Sequence, residues 1–217
     1  MMEHGITTDS PWLDLRRADC MDLMKEFDDN HFDLAIVDPP YGIGINSSGR
    51  LGKYGGKGKK WDSCPPEISY FAELRRVSRE QVVWGANHFI ERLAINSPCW
   101  IVWHKDQPEG VSFAGAELAW TSFTSTCKHV TLRPREAGRI HPTQKPVQLY
   151  KWLLTNYAKP GQRILDTHMG SGSIAIACHY FGAHLTACEI DEDYFRAACE
   201  RIERETLQAT LWEGAMP

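Results

Sequence analysis

The sequence predicts an α/β fold whose centre is a doubly wound, mostly parallel β-sheet. The main observation is the order of patterns in residues 163–205, where strand, glycine loop, helix, strand and helix follow one another. The second is a set of short apolar runs that end in turn residues, as buried parallel strands do. The third is composition, since 42% hydrophobic and 24% charged residues are typical of a globular domain with a buried core.

The individual elements are predicted from local patterns along the chain. Asp19-Cys20 precedes an amphipathic stretch, and residues 34–37 form an apolar run that ends in a Pro- and Gly-rich turn. Residues 66–77 are predicted as a helix because apolar residues recur on one face. The other predicted elements are strands at 81–84 and 99–103, a short helix from residue 87, a helix at 146–157, a strand at 163–166, a helix at 174–181, a strand at 185–188 and a helix at 193–205.

One domain is predicted for residues 1–217, because this length exceeds the usual size of one domain and falls short of two. Residues 47–60 contain five glycines and four lysines without periodicity, which predicts a mobile basic loop. Residues 105–139 contain strand-like pieces without clear helix signals. They are predicted to form a small inserted subregion that serves recognition.

The basic residues are segregated, although the formal net charge is −4. Residues 50–60 carry five Lys or Arg and no acid, and residues 128–151 carry six against one acid. Two basic segments in a chain that is otherwise acidic predict that loops of these segments bind nucleic acid. The alternative is that the basic residues lie in solvated loops without a binding partner. The candidate contacts are Arg50, Lys53, Lys57, Lys59, Lys60, Arg133, Arg135 and Arg139.

The cysteine pattern and the apolar runs argue against disulfide-rich, metal-binding, membrane and secreted proteins. The seven cysteines are scattered and form no CxxC pair, so we expect reduced thiols, no disulfide framework and no metal site. No apolar run approaches the roughly 20 residues that cross a bilayer. The first ten residues do not resemble a signal peptide. A cytoplasmic protein without a membrane partner is predicted.

The motif Asp38-Pro39-Pro40-Tyr41 follows an apolar strand and suits methylation of an exocyclic amine on a nucleic-acid base. The lone pair of such an amine is delocalised into the ring, so acceptors must hold its hydrogens before the nitrogen can attack. The Asp38 carboxylate and the Pro39 carbonyl are two acceptors, and neither proline has an N–H to compete. Tyr41 supplies a flat face for a base rotated out of its stack. An ordinary Asx-Pro turn is the alternative interpretation.

The glycine loop at 166–173 follows a strand and predicts a cofactor site. Gly170 and Gly172 let the backbone approach a ligand, and Asp166 can pair with an ammonium group. Glu189 ends the next strand, where an acidic residue can accept both hydroxyls of a ribose. A glycine loop alone occurs in nucleotide folds of many kinds, and a carboxylate beside a helix N-terminus is the alternative for Glu189.

Five pieces of the chain together resemble the β-class DNA amino-methyltransferases, in particular their short, phage-type members. The pieces are Asp19-Cys20, Asp38–Tyr41, His141-Pro142-Thr143-Gln144-Lys145-Pro146, residues 166–173 and Glu189-Ile190-Asp191, with further likeness at 84–87 and 117–120. The catalytic motif precedes the glycine loop, as is typical of this class. The resemblance implies a Rossmann-like class I methyltransferase fold with circularly ordered motifs. It also implies S-adenosylmethionine as the cofactor and DNA as the partner.

The resemblance also implies a set of cofactor contacts. It places Asp19 at the adenosine end and residues 141–146 at the methionine end, with Thr143 as a candidate for the carboxylate. The full set is Asp19, Cys20, Asp38, His141, Thr143, Lys145, Asp166, His168, Met169, Gly170, Ser171, Gly172, Ser173, Glu189 and Ile190. The chain departs from the family at Thr167-His168, usually Pro-Phe, and at Ser173, usually Thr. We therefore expect weaker or pH-sensitive cofactor binding through His168.

The leading hypothesis is transfer of a methyl group to N6 of a flipped adenine in DNA. The family's N4-cytosine members more often begin the catalytic motif with Ser, so Asp38 favours adenine. N4-cytosine methylation, RNA or protein-glutamine methylation and a catalytically silent nucleic-acid-binding module are the alternatives. We expect direct in-line transfer. Recognition is expected to use a short sequence, to be relaxed, or to be shared across a homodimer.

Three tryptophans in apolar runs invite a base-stacking role. They are Trp100, Trp103 and Trp120. Tryptophan in such runs is mostly core, and we predict core packing for all three.

Overall fold

The computed structural model of the chain describes residues 10–44, 61–107, 114–134, 138–141 and 143–213, with side chains to residue 207. The strands in this part are β1 (Leu13–Arg17), β2 (Phe32–Val37), β3 (Ser78–Trp84), β4 (Trp100–His104), β5 (Ala116–Thr121), β6 (Lys128–Thr131), β7 (Arg163–Asp166) and β8 (His184–Glu189). The helices are α1 (Cys20–Lys25), α2 (Ile68–Val77), α3 (Ile90–Leu93), α4 (Val147–Tyr157), α5 (Ser173–Phe181) and α6 (Glu192–Glu213), and a 3-10 turn covers Ala86–His88.

All of these strands join one sheet in the order β1-β8-β7-β2-β3-β5-β4-β6. The pairs β1–β8, β8–β7, β7–β2, β2–β3 and β4–β6 are parallel, whereas β5 runs antiparallel to both β3 and β4. The predicted α/β fold with a mostly parallel sheet is confirmed. Since β2, β7 and β8 are parallel neighbours, their carboxyl ends lie at the same edge of the sheet.

Both faces of the sheet are covered by apolar packing, as in a doubly wound fold. Leu34 and Ile36 of β2 pack in a cluster with residues of α4, α5 and α6. Ala35 and Val37 of the same strand pack on the opposite face with residues of α1, α2 and α3. This alternation follows from the two-residue period of a strand, and it explains why β2 is apolar throughout.

Residues 105–139 are predicted from the sequence to form a small inserted subregion. In the described part of this range, β5 and β6 are strands of the main sheet. Ala119 and Trp120 of β5 are buried on opposite faces, which is what an interior strand requires. The described part of this range therefore extends the sheet as strands instead of forming a separate unit.

The tryptophans are packed as predicted in two of three cases. Trp103 is 1% exposed and Trp120 is 2% exposed, whereas Trp100 is partly buried against the core. The indole N–H of Trp103 donates to the carbonyl of Leu132 at 2.8 Å, and that of Trp120 donates to the carbonyl of Ile95 at 2.8 Å. These bonds satisfy the polar end of each buried ring.

Other differences concern element ends. Strand β1 was not predicted, because three of its five residues are charged and only Leu13 and Leu15 are buried. Helix α2 begins at Ile68, two residues later than predicted, and α6 extends to Glu213. Among the described residues, no helix combines the length and apolar composition that crossing a membrane requires.

Candidate active site

A cleft lies at the carboxyl edge of the sheet, beside the ends of β2, β7 and β8. Ligands of doubly wound folds bind at this edge. The predicted site residues that line the cleft are Asp19, Cys20, Asp38, Pro40, His141, Thr143, Lys145, His168, Met169, Gly170, Ser171, Glu189 and Ile190. The lining does not include Pro39, Tyr41, Asp166, Gly172 or Ser173. The structure therefore brings most of the predicted set together around one cavity.

The glycine loop between β7 and α5 owes its shape to two positive backbone angles. Gly170 has φ +53° and Gly172 has φ +72°. A Cβ on Gly172 would lie 2.7 Å from Cδ1 of Ile202, so close packing on α6 also requires glycine there. The buried Arg201 supports the loop by donating to the carbonyl of Ser171 and to Oγ of Ser173, each at 2.9 Å.

Glu189 at the end of β8 is held by backbone groups. Its Oε2 accepts the N–H of Gly170 at 3.0 Å, and its Oε1 accepts the N–H of Asp191 at 3.0 Å. Burial raises the pKa of Glu189, and these two bonds oppose the rise. Each carboxylate oxygen keeps a second lone pair for a hydroxyl donor in the cleft.

Asp166 at the end of β7 is a buried carboxylate with an unusual charge environment. Its Oδ1 accepts the N–H of His168 at 3.0 Å, and it has no ion-pair partner among the residues with described side chains. Burial raises the pKa of Asp166 to about 8, and the His168 N–H opposes this rise. A ligand that brings a positive group to Asp166 would stabilise its charged form.

His168 is held by a short chain of hydroxyl groups. Its Nδ1 lies 2.9 Å from Oγ1 of Thr167, which in turn lies 2.6 Å from the hydroxyl of Tyr70. Burial lowers the pKa of His168 to about 4, and the charge of Asp19 opposes this shift. The ring is therefore neutral at pH 7, and its own titration adds no pH dependence near neutrality.

Asp38 and Tyr41 are joined by a hydrogen bond at the turn after β2. The Tyr41 hydroxyl donates to Oδ1 of Asp38 at 2.7 Å. The Tyr41 ring stacks on His88 with centroids 5.1 Å apart and an angle of 15°. A Cβ on Gly85 would lie 2.0 Å from Cε1 of Tyr41, so only glycine leaves room for this ring. One face of Tyr41 is thus covered by protein.

Lys145 lies against the same carboxylate. Its ammonium is 2.6 Å from Oδ2 of Asp38, 3.1 Å from Oε2 of Glu117 and 3.2 Å from the hydroxyl of Tyr41. Burial alone would lower the pKa of Lys145, but Asp38 and Glu117 outweigh burial and raise it. Burial raises the pKa of Asp38, and Lys145 offsets only part of that rise.

Several residues of the site were not found from the sequence. Oδ1 of Asp62 accepts the N–H groups of Tyr41 at 2.8 Å and Gly42 at 2.9 Å, which fixes the turn at residues 38–42, called the catalytic turn below after its predicted role. Glu117 reaches Lys145 from β5, although the 117–120 stretch was singled out only for its likeness to phage-type sequences. Asp62 and Arg201 belong to no motif, so no local signal could have revealed them.

The predicted nucleic-acid contacts lie mostly outside the described residues. This holds for residues 47–60, predicted to be mobile, and for Arg50, Lys53, Lys57, Lys59, Lys60 and Arg135. Arg133 is exposed and pairs with Asp106 at 2.8 Å. Arg139 is partly buried. Within the described part of the chain, no group of three or more His, Cys, Asp or Glu side chains is arranged to hold a metal.

Comparison with known proteins gives a consistent picture. Residues 96–200 match the family model of the N6/N4 DNA methylases. A protein of Escherichia coli K12 described as a methylase, YubD, is 24% identical over 92% of this chain and 93% of its own length. The type II methyltransferase M.HinfI of Haemophilus influenzae is 23% identical over 86% of this chain and 67% of its own length.

Two solved structures share the fold over most of the chain. The M1.HpyAVI–SAM complex superposes with a TM-score of 0.64 at 18% identity and covers 88% of this chain and 98% of that one. The cytosine-N4-specific PvuII DNA methyltransferase gives 0.63 at 11% identity and covers 93% of each chain. These likenesses establish the class I methyltransferase fold.

The packing of Gly172 gives a stability prediction. Gly172→Ala should lower the free energy of unfolding by about 2–4 kcal/mol, because a left-handed residue costs about 1 kcal/mol and the contact with Ile202 adds overpacking. Gly182→Ala is the matched control, since Gly182 has φ +73° and nothing within 4 Å of its added Cβ. Urea unfolding of both variants measures the difference, and equal losses would contradict the steric argument.

Proposed function

We propose that this chain, whose residues 96–200 match the family model of the N6/N4 DNA methylases, transfers a methyl group from S-adenosylmethionine to the exocyclic N6 of adenine in DNA. The observation that carries the proposal is the placement of the Asp38 carboxylate on the wall of the cleft that Glu189 and the glycine loop also line. A proton acceptor and a nucleotide-binding edge thereby share one cavity.

The residues present suit the proposed cofactor. Asp166 does not itself line the cleft, but its carboxylate accepts the N–H of His168, which does, and it has no described ion-pair partner, which favours the cofactor's ammonium. Gly170 leaves open space, since the nearest atoms to an added Cβ are 3.9 Å away. We propose Glu189 for the ribose hydroxyls, Asp19, Cys20 and His168 for the adenosine end, and His141 and Thr143 for the methionine carboxylate. When bound, the cofactor supplies a methyl group on a sulfonium, a strong electrophile.

The chain's own residues activate the target amine. Asp38 and the carbonyl of Pro39 accept its two hydrogens, which returns lone-pair density to the nitrogen. As the nitrogen–carbon bond forms and the carbon–sulfur bond breaks, one amine proton passes to Asp38 and later to solvent. Because burial raises the pKa of Asp38, this carboxylate binds a proton more tightly than an exposed aspartate does. Tyr41 and Lys145 fix its orientation.

We propose DNA contacts by the basic residues of 50–60 and by Arg133, Arg135 and Arg139, which would hold phosphates while the base is flipped. Strands β5 and β6 occupy much of the range expected to serve recognition. This favours a short or relaxed recognition sequence, or recognition shared between two chains.

Transfer to N4 of cytosine is the second candidate. It is favoured by the structural likeness to the cytosine-N4-specific PvuII enzyme. Asp38 at the start of the catalytic motif supports adenine, since the family's cytosine members more often carry Ser there. Both amines require the same acceptors, so the site chemistry is common to the two.

Nucleoside analysis distinguishes the two bases. Incubation of the protein with labelled S-adenosylmethionine and unmethylated DNA, followed by mass spectrometry of the digest, should yield N6-methyladenine. N4-methylcytosine would retain the mechanism and overturn the choice of base. The absence of any methylated nucleoside, with RNA tested in parallel, would contradict DNA methylation.

Replacement of Asp38 tests the acceptor role. Asp38→Ala should reduce methyl transfer by at least 10²-fold, the lower end for loss of a general base, and leave cofactor affinity within a few-fold of the wild type. Radiolabel transfer and calorimetric binding of S-adenosylhomocysteine measure the two effects. A variant that retains near-full rate would refute the role.

Asp166 predicts a pH-dependent affinity. The charged carboxylate binds the ammonium of S-adenosylhomocysteine, and its pKa is raised to about 8, so affinity should increase between pH 6 and pH 8. The increase should approach tenfold per pH unit at the acidic end, where one proton must leave for each ligand bound. Calorimetry at several pH values measures this. Asp166→Asn should bind weakly with a flat profile, and a sloped profile in that variant would contradict the assignment.

A further inference from the structure

Glu117 is a half-buried carboxylate that the mechanism above does not use. It projects from β5 and reaches three groups near the catalytic turn. Its Oε1 lies 2.5 Å from the ammonium of Lys105, and its Oε2 lies 3.1 Å from Lys145 and 3.4 Å from the hydroxyl of Tyr41. The side chain of Glu117 is 22% exposed. Glu117 thus touches both residues that orient Asp38.

The charges around Glu117 alternate along a row. Lys105, Glu117, Lys145 and Asp38 are joined by successive contacts of 2.5, 3.1 and 2.6 Å. The outer cation, Lys105, also lies 5.2 Å from the ring centroid of Trp103. Exposure falls to 3% at Lys145, so that ammonium depends on protein carboxylates for compensation.

The proposed reaction changes one charge in this row. When Asp38 takes up the amine proton, it becomes neutral and no longer compensates Lys145. A buried ammonium left without a counterion is strongly unfavourable, so Asp38 would be a poor acceptor if it were the sole partner of Lys145. Glu117 removes this obstacle because it remains charged. Burial would raise its pKa, but Lys145 and Lys105 outweigh burial and lower the pKa to about 2.

We propose that Glu117 is a positioning residue, which keeps Lys145 charged and in place so that Asp38 can accept the proton of the target amine. The inference rests on the proposed methyl transfer. It assigns Glu117 a role through Lys145, without contact to the substrate. Lys105 supports it by holding the outer oxygen of Glu117.

The main test is Glu117→Gln, which keeps the shape and removes the charge. Single-turnover methyl transfer should fall 10- to 100-fold, whereas the affinity for S-adenosylhomocysteine should stay within threefold of the wild type. Glu73→Gln is the matched control, since Glu73 is paired with Arg76 on α2 at 27% exposure, away from the cleft. This control should transfer at the wild-type rate.

The pH profile provides a readout that a merely structural role would not change. Asp38 faces Tyr41, Glu117 and Lys145, and its charge also acts on Asp166 and Tyr150. The charge of Glu117 raises the pKa of Asp38, so its removal should move the acidic limb of the rate profile to lower pH. An acidic limb at the wild-type position would overturn the proposal.

A double-mutant cycle completes the test. In a Lys145→Met background, Glu117→Gln should cause no further loss, because there is no ammonium left to position. Equal losses in the two backgrounds, or a wild-type rate for Glu117→Gln, would overturn the inference alone. If thermal melting shows that Glu117→Gln does not fold, Lys105→Met replaces it, with a three- to tenfold loss expected only when Lys145 is present. A wild-type protein that transfers no methyl group would overturn the proposed function together with this inference.

Discussion

The ion pair between Lys145 and Asp38 is the interaction on which the geometry of the site depends. Both side chains are largely withdrawn from water, and a buried charge is tolerated only when its partners are fixed. Asp38 directly follows β2, Lys145 precedes α4, and Glu117 comes from β5. Together with Glu117, the pair therefore joins three segments that are far apart in sequence, and the catalytic turn cannot shift without uncovering a charge.

The carboxylates at the catalytic turn and at the end of β7 differ in how their charges are compensated. At the catalytic turn, Asp38 and Glu117 each have a lysine ammonium beside them, and these charges compensate one another within the protein. Asp166 has no such partner among the described side chains, and burial therefore raises its pKa to about 8. A ligand with a positive group would lower this pKa. The compensation of Asp38 therefore comes from the protein itself, whereas at Asp166 we propose that the ammonium of the cofactor supplies it.

Much of the fold and part of the site could be predicted from sequence, because their signals are local. Strand β2 with Asp38, strand β7 with the glycine loop and strand β8 with Glu189 each show an apolar run followed by a distinctive turn. Strand β1 lacks that pattern, since its charged residues hide the alternation. The pairing of β5 with β3 and β4 depends on distant partners, so the sequence suggested an insertion instead. Glu117 and Asp62 act on residues far along the chain, and no spacing rule reports such contacts.

Strand β5 fixes two features of the site at once. The N–H of Gly85 donates to the carbonyl of Leu118 at 2.9 Å, and the preceding residue of β5 is Glu117. A slip of one residue in this antiparallel pairing would turn every side chain of β5 to the opposite face of the sheet. Glu117 would then point away from Lys145. Gly85, which lies against the ring of Tyr41, would lose its hydrogen bond to the carbonyl of Leu118. Strand β5 has only six residues, so its register depends on a short pairing. A chain could therefore form its native helices and strands and still lack activity if β5 paired in the wrong register.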